Sequence, residues 1–369
     1  MNTTTAPTGL FCPLRLREVE LRSRVGMAPM SQYQADPHTH TPTDWHLPHY
    51  AERARAGTGV VIVEATAVSP QGLVTPHDLG LWDADQQQGL ARIAEAITAA
   101  GAVPALQLSH GGRKASRTRP WDGDRHLPPG EGGWEVIGPS PLPFAQGYPV
   151  PRAASTGDLE QAVADFARAA RLALEAGFRM VELHAAHGRL LHSFLSPISN
   201  HRTDDYGGPL AHRARLLVQT VQAVREVWPD ELPLAVRLSC EDAQPGGWSL
   251  DDTLALAPLL AQAGADLVDC SSGGIRRPQQ RRTSPGYQVP YAAAIRARTD
   301  LATAAVGLIT TVEHAEHIVD TGQADLVLLG RALLTHPHLV LGSPGAAALI
   351  PAPYRRAHTP PAAEHLPEL

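Results

Sequence analysis

Residues 181–208 read VELHAAHGRLLHSFLSPISNHRTDDYGG, and this stretch decides how the rest of the chain is interpreted. It opens as a short apolar strand and then breaks into a polar turn that carries His184 and His187. Leucine and phenylalanine then recur at helical spacing from Leu190 to Leu195. Polar side chains at the carboxyl end of a strand commonly serve a ligand. The order strand, polar turn and helix therefore predicts a binding edge at the two histidines.

The same unit of apolar strand, polar end and helical segment recurs along the chain. Strands are predicted at 25–30, 60–67, 103–108, 180–184, 234–239, 267–271, 304–309 and 326–330. Helices are predicted between them at 90–100, 159–176, 210–228, 250–263 and 291–299. Nearly continuous apolar runs are typical of parallel strands that are buried on both faces. The alternation predicts an α/β fold, a single (β/α)8 TIM barrel with functional residues on the loops at one end.

A doubly wound sheet is the structural alternative, but the GxGxxG turn that usually follows its first strand is missing. We expect residues 1–350 to form the barrel. Residues 116–156 are rich in proline, glycine and tryptophan and too long for a plain connection, so they are predicted to lie over the barrel mouth as a lid after the third strand. Residues 351–369 form a proline-rich tail that we expect to be extended.

Composition excludes several classes of protein. The chain has 369 residues, 43% hydrophobic, without an apolar run long enough to span a bilayer or a secretory leader in MNTTTAPTGL. A net charge of -6 with interspersed signs argues against a nucleic-acid binder. The three cysteines are too far apart for a metal or iron–sulfur motif, and the HxxH pair lacks the further ligand and glutamate of a zinc site. We therefore expect a cytoplasmic protein that binds neither metal, nucleic acid nor membrane.

The last two predicted strands end in residues suited to a phosphate. Gly307 and Leu308 follow the seventh strand, and Gly330 and Arg331 follow the eighth. TIM barrels commonly bind phosphate through these loops, where glycine lets backbone N–H groups approach and arginine pairs with the anion. Strand-end glycines are also common for structural reasons, so both interpretations remain open at this point.

Two buried polar positions are also predicted to face a ligand. Gln107 lies in an apolar strand, and its amide offers a donor and an acceptor together. Arg237 is the lone cation of the fifth strand. A buried charge is costly unless it is paired, so Arg237 needs an anionic partner, either a ligand or a carboxylate of the protein.

The run HAAHGRLLHSFLSPISNHRTDDYGG resembles the substrate-site segment of the Old Yellow Enzyme family, and more narrowly its thermophilic-like or class III branch. Three further segments are similar to motifs of that family: QLSHGGRK at 107–114, PGYQ at 285–288 and the ends of the last two strands. The agreement runs from Arg24 to about Arg356 and is weakest at 116–156. Within that family the resemblance implies an ene-reductase that uses FMN and is reduced by NADPH or NADH.

The resemblance also implies a role for individual residues toward FMN. The phosphate would be held by the ends of the last three strands, the isoalloxazine would lie along the ends of the first two, Gln107 would face the pyrimidine edge and Arg237 the reduced flavin. The implied cofactor-binding set is Pro29, Met30, Ser31, Ala65, Gln107, Arg237, Ser271, Ser272, Gly273, Gly307, Leu308, Gly330 and Arg331.

His184 and His187 would bind the carbonyl or nitro oxygen of an activated alkene, with Tyr33 at the border of the pocket. Two fixed donors there would stabilise the negative charge that develops when hydride reaches the β-carbon. The segment around Arg356 is similar to a terminal motif whose arginine reaches into the adjoining subunit, which implies a homodimer or homotetramer.

Two positions depart from the family pattern: Ser31 stands where a cysteine is usual, and Arg189 stands where a tyrosine protonates the α-carbon. Arginine stays charged and is a poor proton donor. Water, Tyr33 or Tyr148 could supply the proton, Arg189 could bind an anionic substrate group, or activity could be lost in an FMN-binding protein. We favour an active reductase with a proton from solvent.

A flavin-free aldolase or lyase with a Schiff-base lysine is the alternative from another class of enzyme. Lys114 is the only lysine of the chain and lies in a loop beside Arg113 rather than in an apolar strand. That position disfavours the alternative.

Overall fold

The computed structural model describes residues 9–277 and 283–358. Its strands are β1 (Leu14–Leu16), β2 (Val19–Leu21), β3 (Val25–Met27), β4 (Val60–Ala67), β5 (Val103–Ser109), β6 (Ile137–Gly138), β7 (Arg152–Ala153), β8 (Met180–Ala185), β9 (Leu234–Ser239), β10 (Leu267–Ser271), β11 (Ala302–Ala305) and β12 (Leu326–Leu329). Eight of them close into a parallel barrel in the order β10-β11-β12-β3-β4-β5-β8-β9. The predicted (β/α)8 TIM barrel is confirmed.

The helices lie between the barrel strands. They are α1 (His46–Arg55), α2 (Ala84–Ala99), α3 (Thr156–Glu175), α4 (Leu190–Leu195), α5 (Leu210–Val227), α6 (Leu250–Ala263), α7 (Val289–Arg296), α8 (Val312–Asp320), α9 (Arg331–Thr335) and α10 (Arg355–His358). Side-chain caps fix several starts, because the Ser155 and Ser249 hydroxyls each accept from a backbone N–H in a full capping box. Gly264 ends α6 with a φ of 106°, as its place after an alanine predicts. None of the helices in the described residues combines the length and the apolar character that crossing a membrane requires.

The predicted ends of two strands were wrong. The seventh strand was placed at 304–309, whereas β11 ends at Ala305. The chain leaves the sheet there because Gly307 and Leu308 adopt φ values of 126° and 53°, which no strand accommodates. The first strand was expected to reach residue 30, but β3 ends at Met27. Residues 28–30 and 306–309 therefore lie outside the strands, although the Ala28 amide still donates to the Leu329 carbonyl of β12.

A hairpin of β1 and β2 covers the end of the barrel where the strands begin. The two strands pair antiparallel, and the Arg17 guanidinium contacts the carboxylate of Asp266, just before β10, at 2.5 Å. The amide of Glu18 donates to the carbonyl of Glu231, ahead of β9, at 3.1 Å. With this end covered, the opposite mouth is the place for a site.

Residues 116–156 form turns and the short β6–β7 pair rather than a long helix or strand. Within this segment the Trp121 ring packs edge-on against Tyr33 at the mouth, with 5.7 Å between ring centroids. A role for the segment as a lid stays a prediction.

The expectation of an extended tail was wrong for residues 352–358, which form a 3-10 turn and α10. A proline near the start of such a turn has its φ preset for helical backbone, and Pro353 takes that place. Residues 359–369 lie outside the described residues.

Four polar side chains occupy the barrel strands just below the mouth. Gln107 Nε2 donates to Glu182 Oε1 at 2.8 Å, and Arg237 Nε lies 2.8 Å from Asp269 Oδ2. The strand register places Gln107 opposite Glu182 and Asp269 opposite Arg237. All four are buried, and burial together with the nearby Asp269 charge raises the pKa of Glu182 to about 8. Burial also raises the pKa of Asp269. A single cation, Arg237, can neutralise only one of the carboxyl groups of Glu182 and Asp269, which favours a proton on the other.

We expect the stability of Glu182→Gln to fall less steeply with rising pH than that of the wild type. Because the folded state raises the pKa of Glu182 above its ordinary 4.5, its contribution is complete below that value and is lost as pH rises toward about 8. The amide imitates the protonated acid and removes this loss. Melting temperatures between pH 5 and 8.5 check the prediction, with the exposed Glu226→Gln as control. Equal slopes for Glu182→Gln and the wild type would contradict it.

Candidate active site

The turn after β8 is a close-packed backbone structure. His187 adopts a φ of 56° and Gly188 a φ of 72°, both in the left-handed region. A Cβ atom on Gly188 would lie 2.3 Å from the carbonyl oxygen of Gly274, so that only glycine fits. The polar turn that the sequence predicts is present, and its shape is set by contact with the loop after β10.

Side chains from other strand ends hold this turn on both sides of His187. The His187 amide donates to Ser239 Oγ, at the end of β9, at 2.9 Å. Lys114 Nζ, from the loop after β5, donates to the His187 carbonyl at 2.8 Å. The next amide, of Gly188, donates to His192 Nδ1 at 2.8 Å. The two backbone groups of His187 are therefore fixed before any ligand binds.

A buried carboxylate orients His192 in turn. His192 Nε2 lies 3.0 Å from Asp242 Oδ1, and both side chains are fully buried. Since Nδ1 accepts from Gly188, the ring proton belongs on Nε2, which faces Asp242. Asp242 also accepts from Ser196 Oγ and from the Trp248 amide, and the His192 contact helps to keep its pKa below the usual value. Asp242 thus fixes the turn through His192.

The rings of His184 and His187 stand perpendicular at the mouth, with centroids 5.3 Å apart. The Ala186 amide donates to His184 Nδ1 at 3.3 Å, which leaves the ring proton on Nε2. His187 Nε2 contacts Ser271 Oγ at 2.6 Å. Burial, and then neighbouring positive groups, lower the pKa of both rings well below the ordinary value. Both rings are neutral at physiological pH, so they act as hydrogen-bond partners and not as cations.

A cavity of about 370 Å³ extends from His187 across the ends of the last strands. It gathers six of the thirteen predicted cofactor residues, which lie between positions 237 and 331 of the sequence. The other seven, including Gln107 and the loop after β3, do not line it. Its lining includes His187, Arg237, Ser271, Gly307, Leu308, Gly330 and Arg331.

The end of this cavity fits a phosphate. A Cβ atom on Gly307 would lie 3.1 Å from both Gln288 Nε2 and Tyr287 Cε1, so a side chain there would crowd the loop. The positive φ of Gly307 and Leu308 turns the backbone away from the sheet, and the exposed Arg331 brings positive charge to the rim. Backbone N–H groups and an arginine are the donors that phosphate groups take in proteins.

Ser271 and Ser272 make hydrogen bonds within the protein. Ser272 Oγ donates to Gln288 Oε1 at 3.0 Å, and Gln288 Nε2 donates to the Val306 carbonyl at 2.9 Å. The Gly273 amide donates to the carbonyl of Glu241 at 2.7 Å. Gln288, whose PGYQ segment was noticed only as a family match, therefore ties the loop after β10 to the loop after β11.

The loop after β3 carries Pro29, Met30, Ser31 and Tyr33, and buried Glu64 anchors it. Glu64 Oε2 accepts from the Gln32 amide at 2.6 Å, and Oε1 accepts from the Tyr50 hydroxyl at 2.9 Å. Ala65 follows Glu64 within β4. This anchoring places the predicted flavin-ring residues of the first two barrel strands side by side.

Arg189 is half-buried at the mouth, two residues after His187. Its charge influences the pKa of Tyr33, Asp78, His110 and His184, which places it among these groups. Arg356 is exposed on α10. The predicted reach of Arg356 into a neighbouring subunit stays a prediction.

Sequence reasoning missed the part that Lys114 plays in the site. Its Nζ lies 4.2 Å from the centre of the Phe144 ring while it donates to His187. Burial, followed by the charge of Arg189, lowers the pKa of Lys114 well below the usual value. The GGRK segment carried the signal, but the partner of Lys114 lies 73 positions away in the sequence. Among the described residues, no cluster of acidic, histidine or cysteine side chains is suited to a metal ion.

Comparison of the sequence and comparison of the structure with known proteins both point to one family. The chain is 41% identical to an NADPH dehydrogenase of Bacillus velezensis over 329 residues, 89% of this chain and 92% of that protein. An NADPH dehydrogenase of Bacillus subtilis is 39% identical over 328 residues, again 89% and 92% of the two chains. The structure is similar to an old yellow enzyme homologue from Zymomonas mobilis, with a TM-score of 0.76 and 28% identity over 90% of this chain and 91% of that one. Morphinone reductase has a TM-score of 0.75 at 28% identity, over 93% and 94%.

Residues 9–342 match the NADH:flavin oxidoreductase / NADH oxidase family. That match covers all eight barrel strands and the phosphate-type loop, by which we mean Gly307 and Leu308 after β11 together with Gly330 and Arg331 after β12. FMN as cofactor and a nicotinamide nucleotide as hydride donor follow from this membership. The chain therefore belongs to the NADH:flavin oxidoreductase / NADH oxidase family and is an oxidoreductase of the Old Yellow Enzyme type.

Proposed function

We propose that the protein is an ene-reductase that uses NADPH or NADH to reduce the double bond of α,β-unsaturated carbonyl or nitro compounds. The observation that carries the proposal is the pair of neutral histidines at the mouth, held beside a cavity that ends in a phosphate-type loop. Bound FMN supplies hydride from the nicotinamide to the substrate. In balance, NAD(P)H and one proton become NAD(P)⁺, and the alkene gains two hydrogen atoms.

His184 and His187 bind the activating oxygen of the substrate. Hydride addition at the β-carbon moves an electron pair toward that oxygen, so neutral N–H donors there stabilise the developing charge. His184 Nε2 carries such a proton, because its Nδ1 accepts from Ala186. His187 Nε2 is bonded to Ser271 Oγ, so His187 donates to the substrate through Nδ1–H while the serine hydroxyl donates to Nε2. The hydrogen bonds to its backbone hold the ring in place. The donors are thus preorganised.

The residues around the cavity hold FMN. Gly307, Leu308, Gly330 and Arg331 would hold the phosphate, and Arg237, which contacts Asp269, would pair with the charge of the reduced flavin. Gln107 keeps its amide oxygen as an acceptor, because its nitrogen donates to Glu182. Pro29, Met30 and Ser31 of the loop after β3, and Ala65 of β4, would lie along the ring.

The proton for the α-carbon comes from solvent in this proposal. Arg189 stays charged and does not serve as an acid. Burial raises the pKa of Tyr33 above its ordinary value, which makes this hydroxyl a weaker acid than usual. We further propose a cytoplasmic homodimer or homotetramer in which Arg356 borders a neighbouring site. A protein that binds FMN but reduces no alkene is the alternative, and flavin reoxidation by an enone separates the two.

We expect the purified protein to be yellow, with FMN bound at roughly equal stoichiometry, and Arg331→Gln to weaken FMN binding. A charge-assisted contact to phosphate is worth about 1.5–3 kcal/mol, which corresponds to a dissociation constant roughly 10- to 100-fold higher. Fluorescence titration of the flavin-free protein measures this. Riboflavin, which lacks the phosphate, is the matched ligand and should bind wild type and variant alike. Equal weakening for both flavins would show that Arg331 acts on the fold.

We expect His184→Ala and His187→Ala each to lower kcat/KM for 2-cyclohexenone by up to ~10²-fold, because each removes a donor to the developing oxyanion. Steady-state oxidation of NADPH gives the value, and flavin absorbance reports whether FMN is retained. The control is His317→Ala on the exposed side of α8. Unchanged turnover in both site variants would mean that the histidines are structural.

We expect Arg356→Ala to raise KM for the alkene with little effect on kcat, because the residue would touch substrate only from a neighbouring subunit. Truncation after Ile350 should in addition loosen the oligomer, measured by analytical ultracentrifugation. If both changes leave KM and assembly as in the full chain, the tail has no part in the site.

A further inference from the structure

Among residues 9–277 and 283–358, Arg189 at the turn and Arg331 at the phosphate-type loop are cations of the mouth with neither a carboxylate partner nor a side-chain hydrogen bond, whereas other cations of the mouth are engaged. Arg237 contacts Asp269, Lys114 donates to His187, and Arg277 lies near Asp124 at 3.5 Å. Arg113 donates to the Leu142 and Pro143 carbonyls. Within residues 9–277 and 283–358, by contrast, the Arg189 guanidinium takes part in neither an ion pair nor a side-chain hydrogen bond.

Two buried carboxylates near the mouth, Asp78, whose pKa the Arg189 charge affects, and Glu64, are already bound within the protein. Asp78 accepts from the Val74 amide at 2.9 Å and from Thr75 Oγ1 at 2.8 Å. Glu64 accepts from Gln32 and from Tyr50. Neither carboxylate forms an ion pair with Arg189, although Asp78 senses its charge. A half-buried guanidinium without a carboxylate partner leaves its donors available to a ligand.

The place of Arg189 relates this cation to the substrate oxygen. It follows His187 by two residues on the same rigid turn, and its charge acts on His184, His187 and Tyr33. Arg189 also influences the pKa of Asp78 and His110, so its positive charge acts on the same part of the mouth as the two histidine rings. The guanidinium is planar and bidentate, which matches a carboxylate.

We propose that Arg189 binds a carboxylate of the substrate, and that the preferred substrates are activated alkenes that carry a carboxylate on the double bond or close to it. The proposal rests on the proposed ene-reductase function and names its substrate class. Arg189 is a specificity-determining residue in this account. The histidines take the carbonyl oxygen, Arg189 takes the anion, and the double bond lies between them.

A matched pair of substrates tests the proposal on the FMN-loaded enzyme: (E)-4-oxopent-2-enoate and its methyl ester. Both contain the same enone, and only the acid carries the charge. The ester group activates the alkene more strongly than the carboxylate does, so the diagnostic quantity is the change of the acid-to-ester ratio of kcat/KM on substitution. Arg189→Met should lower the acid-to-ester ratio by roughly 10- to 100-fold, the value of a lost charge-assisted pair. Arg189→Lys, which keeps the charge without the fork, should fall between them.

Arg277→Met is the control for long-range attraction. Arg277 is an exposed cation whose charge also reaches Lys114, but it lies beside Asp124. This variant should keep the wild-type ratio if Arg189 acts by direct contact. If the acid-to-ester ratio falls equally in Arg277→Met and Arg189→Met, long-range electrostatic attraction explains the preference. Direct contact with Arg189 is then refuted. FMN content and melting temperature show that each variant is folded.

Binding without turnover separates this proposal from the ene-reductase function. Titration of the oxidised enzyme with 4-oxopentanoate and its methyl ester, followed by flavin absorbance, needs no reaction. Tighter binding of the acid that is lost in Arg189→Met supports the anion site, even if neither alkene is reduced and the function fails. Equal binding of acid and ester by wild type, with the enone reduced normally, would leave the reductase intact and refute the anion site.

Discussion

The backbone of His187 is the constraint on which the mouth of the barrel depends. Its amide and its carbonyl are both engaged by side chains from other strand ends, Ser239 and Lys114. Its left-handed φ would be costly for a free loop, and these contacts hold it in place. The turn can therefore present two imidazoles in one arrangement. Binding energy is not consumed in ordering them.

Acidic groups lie below the mouth of this barrel, and positive charge lies at its rim. Glu182 and Asp269 lie below the mouth with raised pKa values, and a single buried Arg237 lies between them and the cavity. The histidines above are neutral, since burial and the nearby cations disfavour their protonated forms. The lower layer carries little net negative charge, and the rim is positive. Such an arrangement favours a cofactor that becomes anionic when reduced and a substrate that becomes anionic during reaction.

The barrel and most of its helices could be predicted from the sequence, because apolar runs and helical stripes report burial directly. Helices α1 and α8 were both missed. The buried face of α1 consists of His46, His49, Tyr50, Arg53 and Ala54 and shows no apolar stripe, and α8 has only nine residues. The three-residue strands of the hairpin are too short for a periodic pattern. The ends of β3 and β11 depend on backbone angles that a residue pattern does not report.

For the site, the sequence indicated the strand-end residues that the cavity brings together. It did not indicate how they are held. The partners of Gln107, Arg237 and His187 lie on other strands, and only the barrel register places them in contact. The sequence also did not indicate the supporting roles of Asp242 and Lys114. Lys114 bonds to the backbone of the turn, and Asp242 acts on the turn through His192.

Lys114 has one consequence beyond its contact with His187. The chain has 31 lysine and arginine residues, and this is its single lysine, so all of its other positive side chains are guanidinium groups. Enzymes and reagents that acylate or ubiquitinate lysine thus have one side-chain amine to act on, half-buried against Phe144. Acylation of that amine would remove its charge and its donor to the turn together. In this chain, any modification of a lysine side chain would therefore also remove a hydrogen bond that holds the turn of the two histidines.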